Sequence, residues 1–211
     1  LMNSATVSAL NIVNIEQPEY RKILKSQAQP VSFPLTQADR QLIDEMKRKL
    51  DDLGGVGLAA PQVNQPKQIV VIYIPEDAAL LREHVIPYPM HVMINPSYEA
   101  IAGTSMGNDF EACYSVLGKA GKVPRFQEIN LSYYDESGQH HQQVERGFYA
   151  RVIQHEIDHL NGILIVDRLS PECVQGSIEE MMKIRRSELS EEKQILFDQL
   201  MAKKSQAQQN E

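Results

Sequence analysis

The spacing of apolar residues along the chain predicts two amphipathic helices. Thr36 is typical of a helix N-cap, and Gly54 and Gly55 are typical of a helix end. Between them, apolar residues recur at helical spacing at Leu42, Ile43, Met46, Leu50 and Leu53. A second helix is predicted over residues 147–161, with Gly162 as its stop.

Other segments show patterns typical of strands. Continuous or alternating apolar runs predict strands at residues 69–74, 92–94, 123–134, 139–145 and 163–166. Residues 75–91 carry three prolines and two histidines among mixed residues, and we interpret them as an inserted segment on the protein surface. From Pro171 to Leu200 the pattern is helical again.

These elements predict one domain for the chain of 211 residues. We expect residues 1–170 to form the catalytic part and residues 171–202 to form a helical extension of the same domain. Residues 203–211 are polar and are expected to be a disordered tail.

Charge and composition narrow the class of protein. The net charge of −7 argues against a general nucleic-acid binder, which needs clustered Lys and Arg. No apolar run approaches the roughly 20 residues needed to span a bilayer, and residues 1–14 lack the regions of a signal peptide. With only Cys113 and Cys173, a disulfide framework is not expected, which favours a reducing cytoplasm.

The most informative segment is His155-Glu156-Ile157-Asp158-His159. Residues four apart share a helix face, so both imidazoles point toward one spot, where they are suited to a divalent metal. Glu156 stands where such sites place a general base. The neighbouring residues are apolar and predict burial, whereas the alternative is two surface histidines.

A tetrahedral site needs a third protein ligand and leaves one position for water. No histidine follows His159, but Cys113 lies upstream in Glu111-Ala112-Cys113-Tyr114-Ser115. A metal deprotonates a thiol, so Cys113 is a candidate ligand. The alternative is a small buried core residue, which is common for a free cysteine.

Residues 55–62, 111–115 and 155–159 together resemble, in order and approximate spacing, the three signature motifs of the peptide deformylases. The resemblance continues through residues 123–126 and Asn161-Gly162 and spans residues 35–170. It implies an α+β fold with antiparallel or mixed sheets packed around a central helix that carries the two histidines. It also implies metal-dependent removal of the formyl group from N-formyl-methionyl nascent peptides in the bacterial cytoplasm.

The resemblance implies one divalent metal, typically Fe²⁺, although Zn²⁺, Ni²⁺ or Co²⁺ can occupy such a site. The metal ligands would be Cys113, His155 and His159. Glu156 would be the general acid and base, Gln62 an oxyanion donor, and Gly57 a position whose backbone meets the substrate.

These roles have a physical basis. A metal lowers the pKa of a bound water toward neutrality and so supplies hydroxide. Glu156 would accept the proton of that water and later deliver it to the leaving amine. The formyl oxygen becomes an oxyanion and needs preorganised donors. The Gln62 amide and the backbone N–H of Tyr114 are the candidates.

Further assignments concern the surroundings of the site. Val56, Leu58, Val152 and Ile153 are candidates for an apolar pocket that receives the methionine side chain. Glu111 is expected either to orient a ligand or to accept a hydrogen bond from a buried N–H. Asp158 and Arg125 either form an ion pair or face solvent.

The middle motif departs from the usual Glu-Gly-Cys-Leu-Ser of the family. Ala112 replaces glycine, which matters only if that residue needs a positive φ. Tyr114 replaces leucine and is expected to narrow or reshape the substrate groove. The segment 75–91 resembles that of the longer bacterial variants.

Two alternatives stay open at this point. One is a different metal hydrolase, although a protease would commonly have a downstream third ligand. The other is a non-catalytic or altered-specificity deformylase-like metal protein.

The C-terminal helix carries Lys183, Arg185 and Arg186 near several glutamates. Alternating charge of this kind predicts a solvated helix face. Contact with the ribosome is the alternative.

Overall fold

The computed structural model describes residues 10–209. Its helices are α1 (Arg21–Leu24), α2 (Gln37–Leu53), α3 (Ala78–Leu81), α4 (Gly147–Leu160), α5 (Ile165–Arg168), α6 (Ile178–Ser187) and α7 (Glu191–Gln209). Its strands are β1 (Gly57–Ala59), β2 (Ile69–Ile74), β3 (Tyr88–Ala100), β4 (Met106–Cys113), β5 (Val116–Phe126), β6 (Glu128–Tyr134), β7 (His140–Arg146) and β8 (Gln175–Gly176). Short 3₁₀ helices lie at Pro18–Tyr20 and Ala60–Val63.

The strands of the described residues form two antiparallel sheets. One has five strands in the order β1-β2-β3-β6-β7, and the other has three in the order β4-β5-β8. The fold combines helices with antiparallel sheets and ends in helices, which confirms the predicted α+β class.

Helix α2 begins and ends where its sequence predicts. The Thr36 side chain accepts a hydrogen bond from the Asp39 backbone N–H, and the Asp39 carboxylate accepts one from the Thr36 N–H, which makes a capping box. Gly54 ends the helix with a φ of 65°, a left-handed conformation that favours glycine.

The larger sheet is covered on both faces. Val70 and Ile72 of β2 pack in a cluster with residues of α4, whereas Ile69 and Val71 pack in a second cluster with residues of α2. A strand with both faces buried has no polar face, which explains the continuous apolar run at residues 69–74. The result is that α4 lies in the interior with its histidines beside the smaller sheet.

The smaller sheet brings the middle motif to α4. Strands β4 and β5 form a hairpin whose turn is Tyr114 and Ser115, so Cys113 lies at the end of β4. Cys113 packs in a small buried cluster with Val116, Val123, Leu164 and Ile165.

Two predicted strands were wrong. Residues 123–134 are split at Gln127, where the chain leaves β5 in the smaller sheet and enters β6 in the larger one. Residues 163–166 do not form a strand, because α5 begins at Ile165 and the Asp167 carboxylate accepts a hydrogen bond from the Leu164 N–H at 2.8 Å. This local cap outweighs the β propensity of the apolar run.

The segments at 75–91 and 203–211 also differ from the predictions. The segment predicted as a surface insertion contains α3, and its last residues belong to β3, which begins at Tyr88. Helix α7 continues to Gln209, so residues 203–209 are helical, and it packs against α3. Residues 210–211 lie outside the described part of the chain, as do residues 1–9 of the segment searched for a signal peptide. Among the described helices, none combines the length and apolar character needed to cross a bilayer.

Candidate metal centre

Three side chains from distant parts of the sequence meet at one point. Ligand atoms of Cys113, His155 and His159 all lie within 4.8 Å of one another. The Cys113 Sγ is 3.2 Å from the His159 Nε2. Both histidines are on α4, one helical turn apart, and the cysteine comes from the end of β4. The sequence-predicted ligands are therefore brought together.

Glu111 orients the first histidine. Its Oε1 is 2.7 Å from the His155 Nδ1, which leaves the Nε2 of the same ring free to bind a cation. Burial alone would raise the pKa of Glu111, but hydrogen bonds from His155 and Arg125 hold it well below its ordinary value. The carboxylate is therefore ionised and is a strong acceptor for the imidazole N–H.

Arg125 and Asp158 extend this network. The Arg125 guanidinium makes two hydrogen bonds to Glu111, at 2.9 and 3.0 Å, and its Nη1 is 2.5 Å from the Asp158 Oδ2. Arg125 and Asp158 are both buried, so their ion pair is internal and neither residue faces solvent. The Asp158 carboxylate also accepts hydrogen bonds from Tyr98 and Arg168, so this buried acid has three partners.

Glu156 lies beside the three candidate ligands in a dry environment. Only 3% of it is exposed, and burial raises its pKa to about 7. Its Oε1 is buried without a hydrogen-bond partner among the described residues. A carboxyl group with a pKa near neutrality can both accept and donate a proton at physiological pH.

Gly57 lies directly against this carboxylate. A Cβ at position 57 would come within 2.5 Å of the Glu156 Oε2, so β1 can approach α4 this closely only with glycine there. The backbone of Gly57 and the carboxylate of Glu156 therefore form the same wall of the site.

Gln62 is held with its amide nitrogen toward the cysteine. Its Oε1 accepts a hydrogen bond from the Ala59 N–H at 2.9 Å. Its Nε2 then lies 3.3 Å from the Ser115 Oγ and 3.6 Å from the Cys113 Sγ. Gln62 and Ser115 are both fully buried, and this arrangement fixes an N–H donor beside the candidate ligands.

The substituted middle motif fits without backbone strain. Ala112 is not among the non-glycine residues with a positive φ, which in the described chain are Asn64, His84 and Asn95. It lies at a register shift of the β4–β5 ladder between Glu111 and Cys113. The added methyl group therefore needs no left-handed conformation.

Tyr114 reaches across to the loop that follows α2. A Cβ at Gly55 would lie 2.2 Å from the Tyr114 Oη, so the ring packs directly on that glycine. Burial raises the pKa of Tyr114 to about 12, and its hydroxyl stays protonated. The ring narrows the space between the hairpin turn and Gly55.

Two of the residues expected to form the methionine pocket lie elsewhere. Leu58 is fully buried in the cluster on the α2 face of the sheet, because neighbouring strand residues point to opposite faces. Ile153 is also fully buried, in the cluster between α4 and the sheet, and has no surface for a ligand. Val152 is buried in that cluster with 4% of it exposed, and the half-buried Val56 packs against the cluster.

Several polar contributors were not predicted from the sequence. Arg151 is buried and donates to Glu111 at 2.6 Å and to the carbonyls of Gly107 and Val123. It precedes His155 by four residues, so helical spacing could have placed it on the same face. No comparable pattern in the sequence pointed to Ser115.

The three candidate ligands fit a divalent transition metal. One sulfur and two imidazole nitrogens are the donor types that zinc and related metals bind with a position left open. Burial, together with the nearby His155, lowers the pKa of His159 and keeps that ring neutral. For His155, burial lowers the pKa but Glu156, Cys113 and Glu111 raise it above its ordinary value, and a bound cation would replace that proton.

Known proteins are similar to this chain over most of its length. The family model described as polypeptide deformylase matches residues 9–175. Peptide deformylase 2 of Rickettsia conorii is 37% identical over 187 residues, which cover 87% of this chain and 91% of the relative. The peptide deformylase of Pseudomonas aeruginosa is 39% identical over 164 residues, which cover 78% and 89%.

Solved structures show the same similarity. A Met-Ala-Ser-bound class I type b peptide deformylase from Acinetobacter baumannii aligns with a TM-score of 0.67 and 31% identity, covering 78% of this chain and 100% of that one. An actinonin complex of a peptide deformylase from Synechococcus elongatus aligns with a TM-score of 0.64 and 34% identity, covering 81% and 84%.

Proposed function

Because this chain belongs to the polypeptide deformylase family, we propose that Cys113, His155 and His159 bind its divalent metal and that Glu156 moves the protons of the reaction. The reaction is hydrolysis of the N-terminal formyl group of formyl-methionyl peptides, which releases formate. The observation that carries the assignment of residues is the convergence of the three ligand atoms within 4.8 Å, next to a buried carboxyl group.

When bound, the cation would supply a Lewis acid and an activated water. Glu156 would accept a proton as the formyl carbon is attacked and would return it to the amine that leaves. Its pKa of about 7 suits both steps. We also propose that the backbone at Gly57, which lies directly against the Glu156 carboxylate, contacts the bound substrate.

Charge that develops on the formyl oxygen needs donors held in advance. Gln62 is suited to this because Ala59 fixes its Oε1 and aims its Nε2 toward the site. The backbone N–H of Tyr114 is our second donor, since it follows Cys113 directly in the hairpin turn. Val56 and Val152 are our remaining candidates for apolar contact with the methionine side chain.

We propose Fe²⁺ as the metal in the cell, with Zn²⁺, Ni²⁺ or Co²⁺ as possible substitutes in the purified protein. A thiolate beside ferrous iron is open to oxidation, so activity should decay faster in air than under nitrogen. Equal half-lives under the two atmospheres would contradict the iron assignment, whereas the ligand assignment would stand.

We also propose how the chain is organised around this activity. Residues 1–170 would be the catalytic part and residues 171–202 a helical extension of the same domain, which is consistent with α6 packing on β5. Two free thiols, Cys113 and Cys173, favour the bacterial cytoplasm. Nascent peptides would be the substrates, and ribosome contact through residues 171–211 stays a prediction that co-sedimentation of a truncated chain would test.

Formate release tests the function. The protein, loaded with iron under nitrogen, is given formyl-Met-Ala-Ser, acetyl-Met-Ala-Ser or casein, with Glu156→Gln as the control. We expect formate from the formyl peptide alone and almost none with the variant. Preference for the acetyl peptide, or equal formate with the variant, would overturn the proposal.

A further inference from the structure

A polar cavity of about 390 Å³ lies beside the metal centre. Five elements form its walls: the end of α3, the first half of β4, the end of β5, the start of α4, and α6 of the C-terminal extension. Three arginines, Arg82, Arg151 and Arg185, line it, and we call it the arginine pocket. None of the roles proposed above uses it.

Two of these guanidinium groups already have partners. Arg82 forms an ion pair with Asp109, donates to the Phe110 carbonyl at 3.2 Å and lies over the Phe148 ring at 4.5 Å. The hydrogen bonds of Arg151 go to Glu111 and to two carbonyls. The guanidinium groups of Arg82 and Arg151 are therefore fixed parts of the pocket wall.

Arg185 differs from the other two. Among the described residues no hydrogen-bond acceptor or carboxylate is paired with its guanidinium, which lies over the Phe197 ring at 5.8 Å from the centroid. The side chain is half-buried, although the charge pattern of α6 predicted a solvated face. Its neighbours Arg186 and Lys183 do face solvent and pair with Asp198 and Glu179.

Arg185 lies close enough to a second arginine of the pocket to feel its charge. Burial, followed by the charge of Arg82, lowers the pKa of Arg185 to about 10, and Asp109 offsets this only in part. Of the other acids that line the pocket, Glu188 is held by Lys122 at 2.7 Å, and Glu83 is exposed. An anion from outside would relieve this repulsion.

The pocket and the metal centre are connected through α4 and β4. Arg151 precedes His155 by one turn of α4, about 5.4 Å along the axis, and both residues contact the Glu111 carboxylate. Strand β4 runs from Gly107 at the pocket to Cys113 at the metal centre. A peptide that ran along β4 from the metal centre would advance about 3.3 Å per residue, which would bring its second or third side chain toward the pocket.

We propose that the arginine pocket binds an acidic side chain at the second or third residue of the formyl peptide, with Arg185 as the group that recognises the carboxylate. This inference rests on the proposed function, since it assumes a formyl peptide at the metal centre. Arg185 would donate paired N–H bonds to the carboxylate, which a guanidinium does well. It is a specificity residue and takes no part in the chemical step.

The test compares acids with their neutral amides. Formyl-Met-Asp-Ser is compared with formyl-Met-Asn-Ser, and formyl-Met-Ala-Asp with formyl-Met-Ala-Asn, in the intact iron-loaded protein. We expect a kcat/KM about five- to tenfold higher for the acid in at least one pair, the range of one partly exposed charged hydrogen bond. Ratios within twofold in both pairs would overturn the proposal.

Substitutions test whether Arg185 is the residue that produces the preference for the acidic peptide. Arg185→Gln should remove it, Arg185→Lys should keep most of it, and Arg186→Gln, one residue away on the exposed side, should leave it unchanged. Loss of the preference in Arg186→Gln as well, or its persistence in Arg185→Gln, would overturn the role of Arg185.

A binding measurement separates this inference from the proposed function. The product peptides Met-Asp-Ser and Met-Asn-Ser are titrated into the intact protein by calorimetry. Tighter binding of the acidic peptide that depends on Arg185 would support the pocket even if no peptide released formate. Formate release with no acid preference in either assay would leave the function standing and remove the pocket.

Discussion

The Glu111 carboxylate lies 2.7 Å from the Nδ1 of His155 and so joins the β4–β5 sheet to the helix that carries the candidate metal ligands. The same carboxylate accepts hydrogen bonds from Arg125 and Arg151. It therefore fixes the ring of His155 and anchors the hairpin that presents Cys113. The geometry of the site depends on this one group more than on any other residue outside the ligand set.

Replacing this carboxylate should weaken metal binding. Glu111→Gln removes the charge that polarises the His155 N–H, and we expect the metal affinity to fall about 10- to 100-fold, the usual effect of losing such a partner. Chelator competition with zinc measures it, with the exposed Glu136→Gln as the control. An affinity within twofold of the wild type would show that the contact does not orient the ligand.

Removing the Gln62 amide should slow the reaction and leave the metal in place. Gln62→Ala eliminates the donor that points toward the candidate site, so we expect kcat to fall about 100- to 1,000-fold at unchanged metal content. Gln65→Ala, in the same loop but only half-buried, is the matched control. Equal losses of activity in both variants would point to a disturbed loop.

Gly55 and Tyr114 should be coupled energetically. Gly55→Ala places a methyl group where the Tyr114 Oη now lies, and we expect it to lower the free energy of unfolding by about 1–3 kcal/mol. In a Tyr114→Leu background the same change should cost much less. Urea unfolding of the four proteins gives the coupling, and additive effects would mean that the ring does not pack on Gly55.

Asp39 should make stability depend on pH. Burial would raise its pKa, but hydrogen bonds from Lys67 and Thr36 lower it below the ordinary value of 3.8. A folded-state pKa below the unfolded one gives stability that is present at neutral pH and is lost as the pH falls below the unfolded value.

Asp39→Asn tests this relationship. We expect it to cost about 1 kcal/mol at pH 7, a difference that shrinks as the pH falls below about 4. Urea unfolding at several pH values measures this, with Asp52→Asn at the exposed end of α2 as the control. A difference that stays constant down to pH 3 would contradict the account.

Local patterns predicted the parts of the site that lie on one element. The two histidines are four residues apart on a helix, so their common face follows from the helical repeat alone. From its own motif alone, Cys113 could have been either a metal ligand or a small buried core residue. The resemblance of three motifs taken together favoured the ligand. Its place beside His159 depends on how the hairpin packs, which no local pattern encodes.

The parts that were not predicted depend on contacts between elements. The break at Gln127 was missed because the apolar pattern continues through it while the chain changes sheet. Arg185 was assigned to a solvated face because its neighbours in sequence are charged, and only the packing of α6 over the pocket turns it inward. Leu58 was predicted to line the methionine pocket, but it packs in the cluster on the α2 face of the sheet.

Metal content after anaerobic loading with iron tests the central assignment most directly. Elemental analysis should find one metal ion per chain in the wild type and in His141→Ala, whose imidazole on β7 pairs with Asp135. Binding should be lost in Cys113→Ala, His155→Ala and His159→Ala. Stoichiometric metal in any of these three variants would contradict the ligand set on which the account is built.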